Sequence, residues 1–350
     1  PAQLGVMATA YAVDDAGLTS GFQPQDVGVF FAADRGALPM KDWETVGRRS
    51  IIGGRPDYWM TVKACKQELD PMWPFYVMTN SAAANVALLF DFLGPNNTTS
   101  SACAAGLFVL WEAYRNLKEG RIKAAVVGGA DSKLSAWDIA GFLGLTAAST
   151  RRCAPEEACA PCSKHRDGMV TGEGAACFIL ERLADAKARN AKIYAEVSGF
   201  GAACGAGIVE TDPDAVARTV REACRDARIN YDQIGMFSPH ATSTPSGDWR
   251  EVSGIRQALG ADADKPWAYN SKGGVGHWIV PAGFASVAPA VLALYRGVIP
   301  PNVNLTPDTL DPACNLRYTM GSAVEADVQA ALVLALGFGN TDVACVLKKV

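Results

Sequence analysis

The sequence predicts an α/β fold, and three observations carry that expectation. Strand-like and helix-like segments alternate along the whole chain instead of separating into blocks. The 350 residues, 49% of them apolar, suffice for a sizeable core. Glycine, at 34 residues, stands above ordinary usage and points to many tight turns between short elements.

The elements follow in order. Residues 4–16 read as a helix from mid-domain, so the chain is expected to lack its natural beginning. Short apolar runs at 27–32, 123–128, 176–180, 236–238 and 333–336, each closed by a turn or polar residue, read as buried strands. Amphipathic stretches at 107–117, 214–227 and 246–259 lie between them. Asp212-Pro213-Asp214 is a helix start, with a capping acid and proline early in the first turn. The charged stretch 181–192 divides the chain into halves at 1–185 and 191–350, and it feeds a strand-like run at 193–200.

Composition excludes several classes of function. Lys+Arg 32 against Asp+Glu 36 gives net −4, which leaves no basic field for nucleic acid. No run reaches the roughly 18 to 20 apolar residues of a membrane helix, and no signal peptide is visible. The ten cysteines have no framework spacing, so reduced thiols in a cytoplasmic protein are expected. With only three histidines in the chain, each is worth tracing.

Three constellations could carry chemistry. Cys103 sits among small residues in Ser101-Ala102-Cys103-Ala104-Ala105-Gly106, just before an apolar helix. A thiol at the positive end of a helix dipole has a lowered pKa and becomes nucleophilic; the alternative is a buried cysteine that packs like alanine. His240 follows a strand in His240-Ala241-Thr242-Ser243-Thr244-Pro245-Ser246-Gly247-Asp248, at the sheet edge where α/β proteins bind ligands. His277 closes Lys272-Gly273-Gly274-Val275-Gly276-His277, where glycines let backbone crowd a substrate. Two histidines in such turns favour acid/base or oxyanion roles over purely structural ones.

Together these motifs resemble the β-ketoacyl-ACP synthases, and specifically the Cys-His-His elongating ketosynthases of type II fatty-acid and polyketide synthesis. Gly94-Pro95-Asn96, Gly128-Gly129-Ala130-Asp131, Arg166-Asp167-Gly168 through Glu173-Gly174-Ala175, and Gly337-Phe338-Gly339-Asn340-Thr341 support the likeness in the family's order. The resemblance implies a thiolase-like fold: duplicated, mixed five-stranded βαβ halves in an α-β-α-β-α layered sandwich, here without the first strand. It implies that Cys103 is the nucleophile and that His240 and His277 hydrogen-bond the developing enolate. Lys272 supports that pair. By the same resemblance the backbone N–H groups of Cys103 and Phe338 would form the oxyanion hole, and Phe338 resembles the family's gate. Thr242, Thr244, Gly339 and Glu173 are expected in supporting positions, with Glu173, Arg166 and Asp167 in a turn-stabilising network. The implied partners are an acyl carrier protein, acyl- or malonyl-loaded, and a second ketosynthase-like chain in a homodimer or heterodimer. No cofactor and no metal are implied.

Four positions depart from the family pattern: Ala241 for glycine, Ser286 for glutamate, Cys162 for an aromatic residue, and Asn340 for the second glycine of the C-terminal loop. Rival readings are weaker. Cys153, Cys159, Cys162 and His165 mimic a zinc run but lack paired C-x2-C knuckles. A cysteine hydrolase does not account for Lys272 and the second histidine. A thiolase would need a cysteine in the loop that holds Asn340. A chain-length-factor-like subunit would have lost the nucleophile, and an acyltransferase without condensation is the remaining alternative.

Overall fold

The computed structural model describes residues 1–18, 21–36 and 40–350. In the first half, helix α1 (Ala2–Ala16) precedes β1 (Val27–Ala32), α2 (Ser81–Phe90), β2 (Asn96–Thr99), α3 (Ala105–Lys118), β3 (Ala124–Ser132) and β4 (Glu173–Glu181). The second half runs β5 (Glu196–Cys204), α4 (Pro213–Asp226), β6 (Ile234–Ser238), α5 (Gly247–Leu259), β7 (Trp267–Ala268), α6 (Ala282–Arg296), β8 (Arg317–Tyr318), β9 (Ala330–Gly337) and β10 (Thr341–Lys348). The predicted cap holds: Asp212 accepts from the Asp214 N–H at 3.0 Å, and Pro213 opens α4.

The sheets repeat one pattern. The order in the first is β2-β1-β3-β4, with β1 parallel to β2 and β3, and with β4 antiparallel to β3. The second runs β8-β7-β6-β9-β10-β5, where β7-β6-β9-β10 reproduces the same directions. The expectation of five strands in each half is therefore corrected to four and six among the described residues. The second sheet gains the short β8 beside β7, while β5 pairs with the outer edge of β10. The corresponding edge of β4 has no strand among the described residues and borders a groove of about 460 Å³.

Five layers follow from burial. Helices α1 and α2 cover one face of the first sheet through Val13, Ala82, Ala83, Val86 and Phe31. Helices α4 and α5 cover the far face of the second through Val216, Val220, Val252 and Ile255. Between the sheets lie α3 and α6, whose Leu107, Leu110, Phe284 and Val287 join Phe30, Val127, Met236 and Val333 in one core. The continuous apolar runs of β1 and β9, buried at every position, are what a strand covered on both faces requires. A further pair of helices, Met40–Arg49 and Tyr58–Glu68, packs as its own small unit around Val46, Ala64 and Leu69.

Candidate active site

Three turns converge at one end of the two sheets. Cys103 lies after β2, at the entry to central helix α3. His240 follows the end of β6. His277 lies in the turn before α6, where its N–H donates to Val170 O and its carbonyl accepts from Gly172 N. Their ligand atoms Sγ and ring nitrogens all lie within 4.8 Å of one another, and all three residues are buried. His277 Nε2 is 3.2 Å from Cys103 Sγ, and the two imidazoles meet edge to face with centroids 5.3 Å apart.

Backbone strain marks each of these turns. Ala102, beside Cys103, has φ 46°; Ala241, beside His240, has φ 25°; Ile279, two residues past His277, has φ 57°. None is glycine, so each costs on the order of 1–3 kcal/mol and persists only where its surroundings over-determine it. At Gly337 a methyl would come within 3.1 Å of the Ser101 carbonyl oxygen and 3.4 Å of the Ala102 Cβ. The absence of a side chain there lets the β9–β10 hairpin close on the nucleophile turn.

Electrostatics correct one expectation from the sequence. Cys103 was expected to be acidic at its helix terminus, yet burial pushes its thiol up to about 12, with the Lys272 charge pulling the other way. Desolvation outweighs the favourable charges, so the resting group is the thiol. Burial also drives both histidines well below 6.5, and the Lys272 charge adds to the effect. Both are therefore neutral, and the tautomer of His277 is fixed. Its Nδ1 accepts from the Ile279 N–H at 3.2 Å, which leaves the proton on Nε2, facing the sulfur. A metal-ligating histidine has the reverse arrangement, donating from its far nitrogen. His277 thus suits hydrogen-bond donation better than metal ligation.

Lys272 is buried and donates to His240 O at 2.5 Å. Burial lowers its pKa, against the opposing charge of Glu251. Glu251, on α5, accepts from the N–H groups of His240 and Ala241 at 2.6 and 2.7 Å, while burial lifts its carboxyl to about 7. Asn270 donates to the carbonyls of Pro239, His240 and Ala241, and its Oδ1 accepts from the Lys272 N–H at 2.8 Å. Glu251 and Asn270 thereby hold the His240 turn. The sequence reading missed both roles, because a glutamate in an amphipathic helix and an asparagine after a strand carry no local signature.

A cavity of about 300 Å³ opens onto Cys103, His240 and His277. Thr242, Thr244 and Phe338 line it, the threonine hydroxyls 3.2 Å apart and Phe338 partly exposed. Gly339, with φ 87°, donates to Ile208 O beside it. Glu173 does not join them: it is exposed and accepts from Ser132 Oγ at 2.9 Å. Nor does it meet Arg166 and Asp167 in one network. Arg166 pairs with Asp311 at 2.6 Å, and Asp167 accepts from Ser149 and Thr150. The zinc-like run is not gathered either, since among the described residues the one cluster with ligand atoms close enough is Cys103–His240–His277. Cys162 instead accepts from the Tyr318 hydroxyl at 3.0 Å.

A layered, internally repeated α/β body with a buried Cys-His-His cluster between its halves is the architecture of the thiolase-fold condensing enzymes. The chain belongs to the β-ketoacyl synthase family: residues 2–186 match the Beta-ketoacyl synthase N-terminal domain and 194–306 its C-terminal domain. The 3-oxoacyl-[acyl-carrier-protein] synthase 2 of Vibrio harveyi is 33% identical, over 99% of this chain and 81% of that protein. A putative polyketide beta-ketoacyl synthase 1 from Streptomyces cyaneus is 32% identical, over 99% of this chain and 81% of its own length. Among solved structures, a type II PKS acyl-carrier protein in complex with its ketosynthase bound to the hexaketide superposes with TM-score 0.87 at 27% identity, covering 99% of this chain and 84% of that one. The ishigamide ketosynthase/chain length factor gives 0.86 at 27%, covering 100% and 82%. Among the described residues no helix is long and apolar enough to cross a membrane.

Proposed function

We propose that the protein joins an acyl group held on Cys103 to malonyl-ACP by decarboxylative Claisen condensation, giving 3-oxoacyl-ACP in fatty-acid or polyketide biosynthesis. One observation carries the reading: the Nε2–H of His277 points at Cys103 Sγ from 3.2 Å. In the first half-reaction the Cys103 sulfur attacks the thioester of an acyl carrier protein. Its S–H bond is lost, a new S–acyl bond forms, and the carrier thiol leaves with the proton. Lys272 and the His277 donor favour the thiolate during attack, which the buried resting site opposes.

Malonyl-ACP then enters, and loss of carbon dioxide leaves the electron pair as an enolate. His277 Nε2–H and His240 place donors at the oxygen on which that charge grows, in a site with little water to reorganise. Fully neutral imidazoles are the right species for this, since they donate without losing their own proton. The carbanion attacks acyl-Cys103, the N–H groups of Cys103 and Phe338 hold the tetrahedral oxyanion, and the Cys103 thiolate leaves and takes up one proton from solvent. Thr242 and Thr244 line the approach of the carrier's arm.

The chain works beside a second ketosynthase-like chain, identical or not, paired through the open edge of β2. Incubation with acyl- and malonyl-loaded carrier protein tests the function. Carbon dioxide and 3-oxoacyl product are expected in equal amounts with the wild type, and no 3-oxoacyl product with Cys103→Ala. Condensation that survives in that variant overturns the reading.

A further inference from the structure

The loop between β9 and β10 is fastened to one segment of the other wall of the cavity, 205–212, which supplies Val209, Glu210 and Thr211 to its lining. Two of the fastenings are main-chain bonds: Gly339 N–H donates to Ile208 O at 2.7 Å, and Gly205 N–H donates to Asn340 O at 3.0 Å. The other two come from the Asn340 side chain. Its Oδ1 accepts from the Asp212 N–H at 3.1 Å, and its Nδ2 donates to Ala206 O at 3.1 Å. Asn340 is only 4% exposed, and its φ of 49° is a left-handed conformation that asparagine tolerates better than most residues. A glycine would fit this backbone equally well but would bring neither side-chain bond.

We propose that Asn340 is a positioning residue that straps the Phe338 loop to segment 205–212, so that the entrance to Cys103 widens only when both move together. The strap thereby sets how large an acyl group loads. Phe338 is 37% exposed and lies two residues away in the same loop, so tying down Asn340 restrains the ring that borders the entrance. Segment 205–212 carries exposed Ile208 and Val209; the Ala206 N–H to Asp212 bond at 3.2 Å lies within the segment, and the Glu210–Arg250 ion pair at 3.0 Å ties it to α5. Without the side chain the two walls are left with their main-chain bonds.

The proposal rests on Cys103 as the loaded nucleophile, and its test reads access to that thiol without turnover. Wild type, Asn340→Gly and Asn340→Asp are treated with a small alkylating agent (iodoacetamide) and a bulky one (N-pyrenylmaleimide), and modification at Cys103 is followed by peptide mass spectrometry. The aspartate keeps the acceptor for Asp212 but loses the donor to Ala206. Losing a bond worth about a fivefold population shift should raise bulky labelling about fivefold in the aspartate variant, and losing two should raise it about 25-fold in the glycine variant, with iodoacetamide rates held. Unchanged bulky labelling overturns the strap, and so does an equal rise for both reagents, which would mean general loosening. Condensation that fails in wild type while the size-selective shift appears would sink the proposed function and leave the strap standing.

Discussion

His277 is held between two contacts of equal length: Nδ1 takes the Ile279 N–H at 3.2 Å, and Nε2 faces Cys103 Sγ at 3.2 Å. The first contact decides what the second can do. With Nδ1 occupied as an acceptor, the substrate-facing nitrogen keeps its proton and is a donor throughout. Replacing His277 by Ala should therefore lower condensation by about 10²- to 10³-fold, the usual cost of one oxyanion donor, while acyl transfer to Cys103 suffers less. Separate assays of acyl loading and carbon dioxide release would resolve the two. Equal losses in both would assign His277 to the first step.

The buried titrating groups set opposing pH dependences. His240 and His277 have folded pKa values below 6.5, so below that pH the unfolded chain binds protons that the folded one does not. Their contribution to stability is present above 6.5 and is lost as the pH falls. Glu251 has the reverse sign. Raised from 4.5 to about 7, it contributes below 4.5 and loses that contribution as the pH rises through 7. Removing it with Glu251→Gln should make stability climb more steeply with pH between 4.5 and 7. Denaturant midpoints across that range check the slope; a shallower one contradicts the assignment.

Strain at Ala241 should be recoverable. The residue is buried with φ 25°, where a methyl is unfavourable and glycine is not. Ala241→Gly should gain about 1 kcal/mol in chemical denaturation without loss of condensation, since Glu251 and Asn270 still hold the turn. A loss of stability would mean the methyl packs better than the backbone suffers.

Ser286 poses a similar question. It is wholly buried on α6, and its hydroxyl has no partner. Ser286→Ala should be neutral or stabilising by up to about 1 kcal/mol, because the unsatisfied hydroxyl already costs the fold. Urea unfolding decides it. A drop of more than about 1 kcal/mol would reveal a hydrogen bond that the hydroxyl makes through water.

Much of this was legible in the sequence, and the failures have physical causes. The run at 27–32 matches its strand residue for residue, because a strand covered on both faces must be apolar throughout. Cys103, His240 and His277 were readable because each sits in small, turn-forming residues that leave room for a substrate. The direction of the Cys103 pKa was not readable: local sequence shows the helix start, whereas the burial that outweighs it comes from core residues of both halves that are distant in the chain. The side chains of Glu251, Asn270 and Asn340 act through contacts with residues as many as 11, 31 and 134 positions away, which no local pattern displays. The opposite error occurred at Glu173, where motif order suggested a supporting role and the side chain lies outside the cavity. Strand number failed for a related reason: β8 is two residues long and exists only because β7 is there to pair with it.

The central claim is that Cys103 carries the acyl group that malonyl-ACP consumes. Intact-protein mass spectrometry tests it most directly, with the enzyme loaded from acyl-carrier protein, freed of excess donor and then chased with malonyl-ACP. The account predicts one acyl adduct per chain, mapped to Cys103, which disappears in the chase as an equal amount of 3-oxoacyl-ACP forms. An adduct on another cysteine, or one at Cys103 that survives the chase while product accumulates, would contradict it.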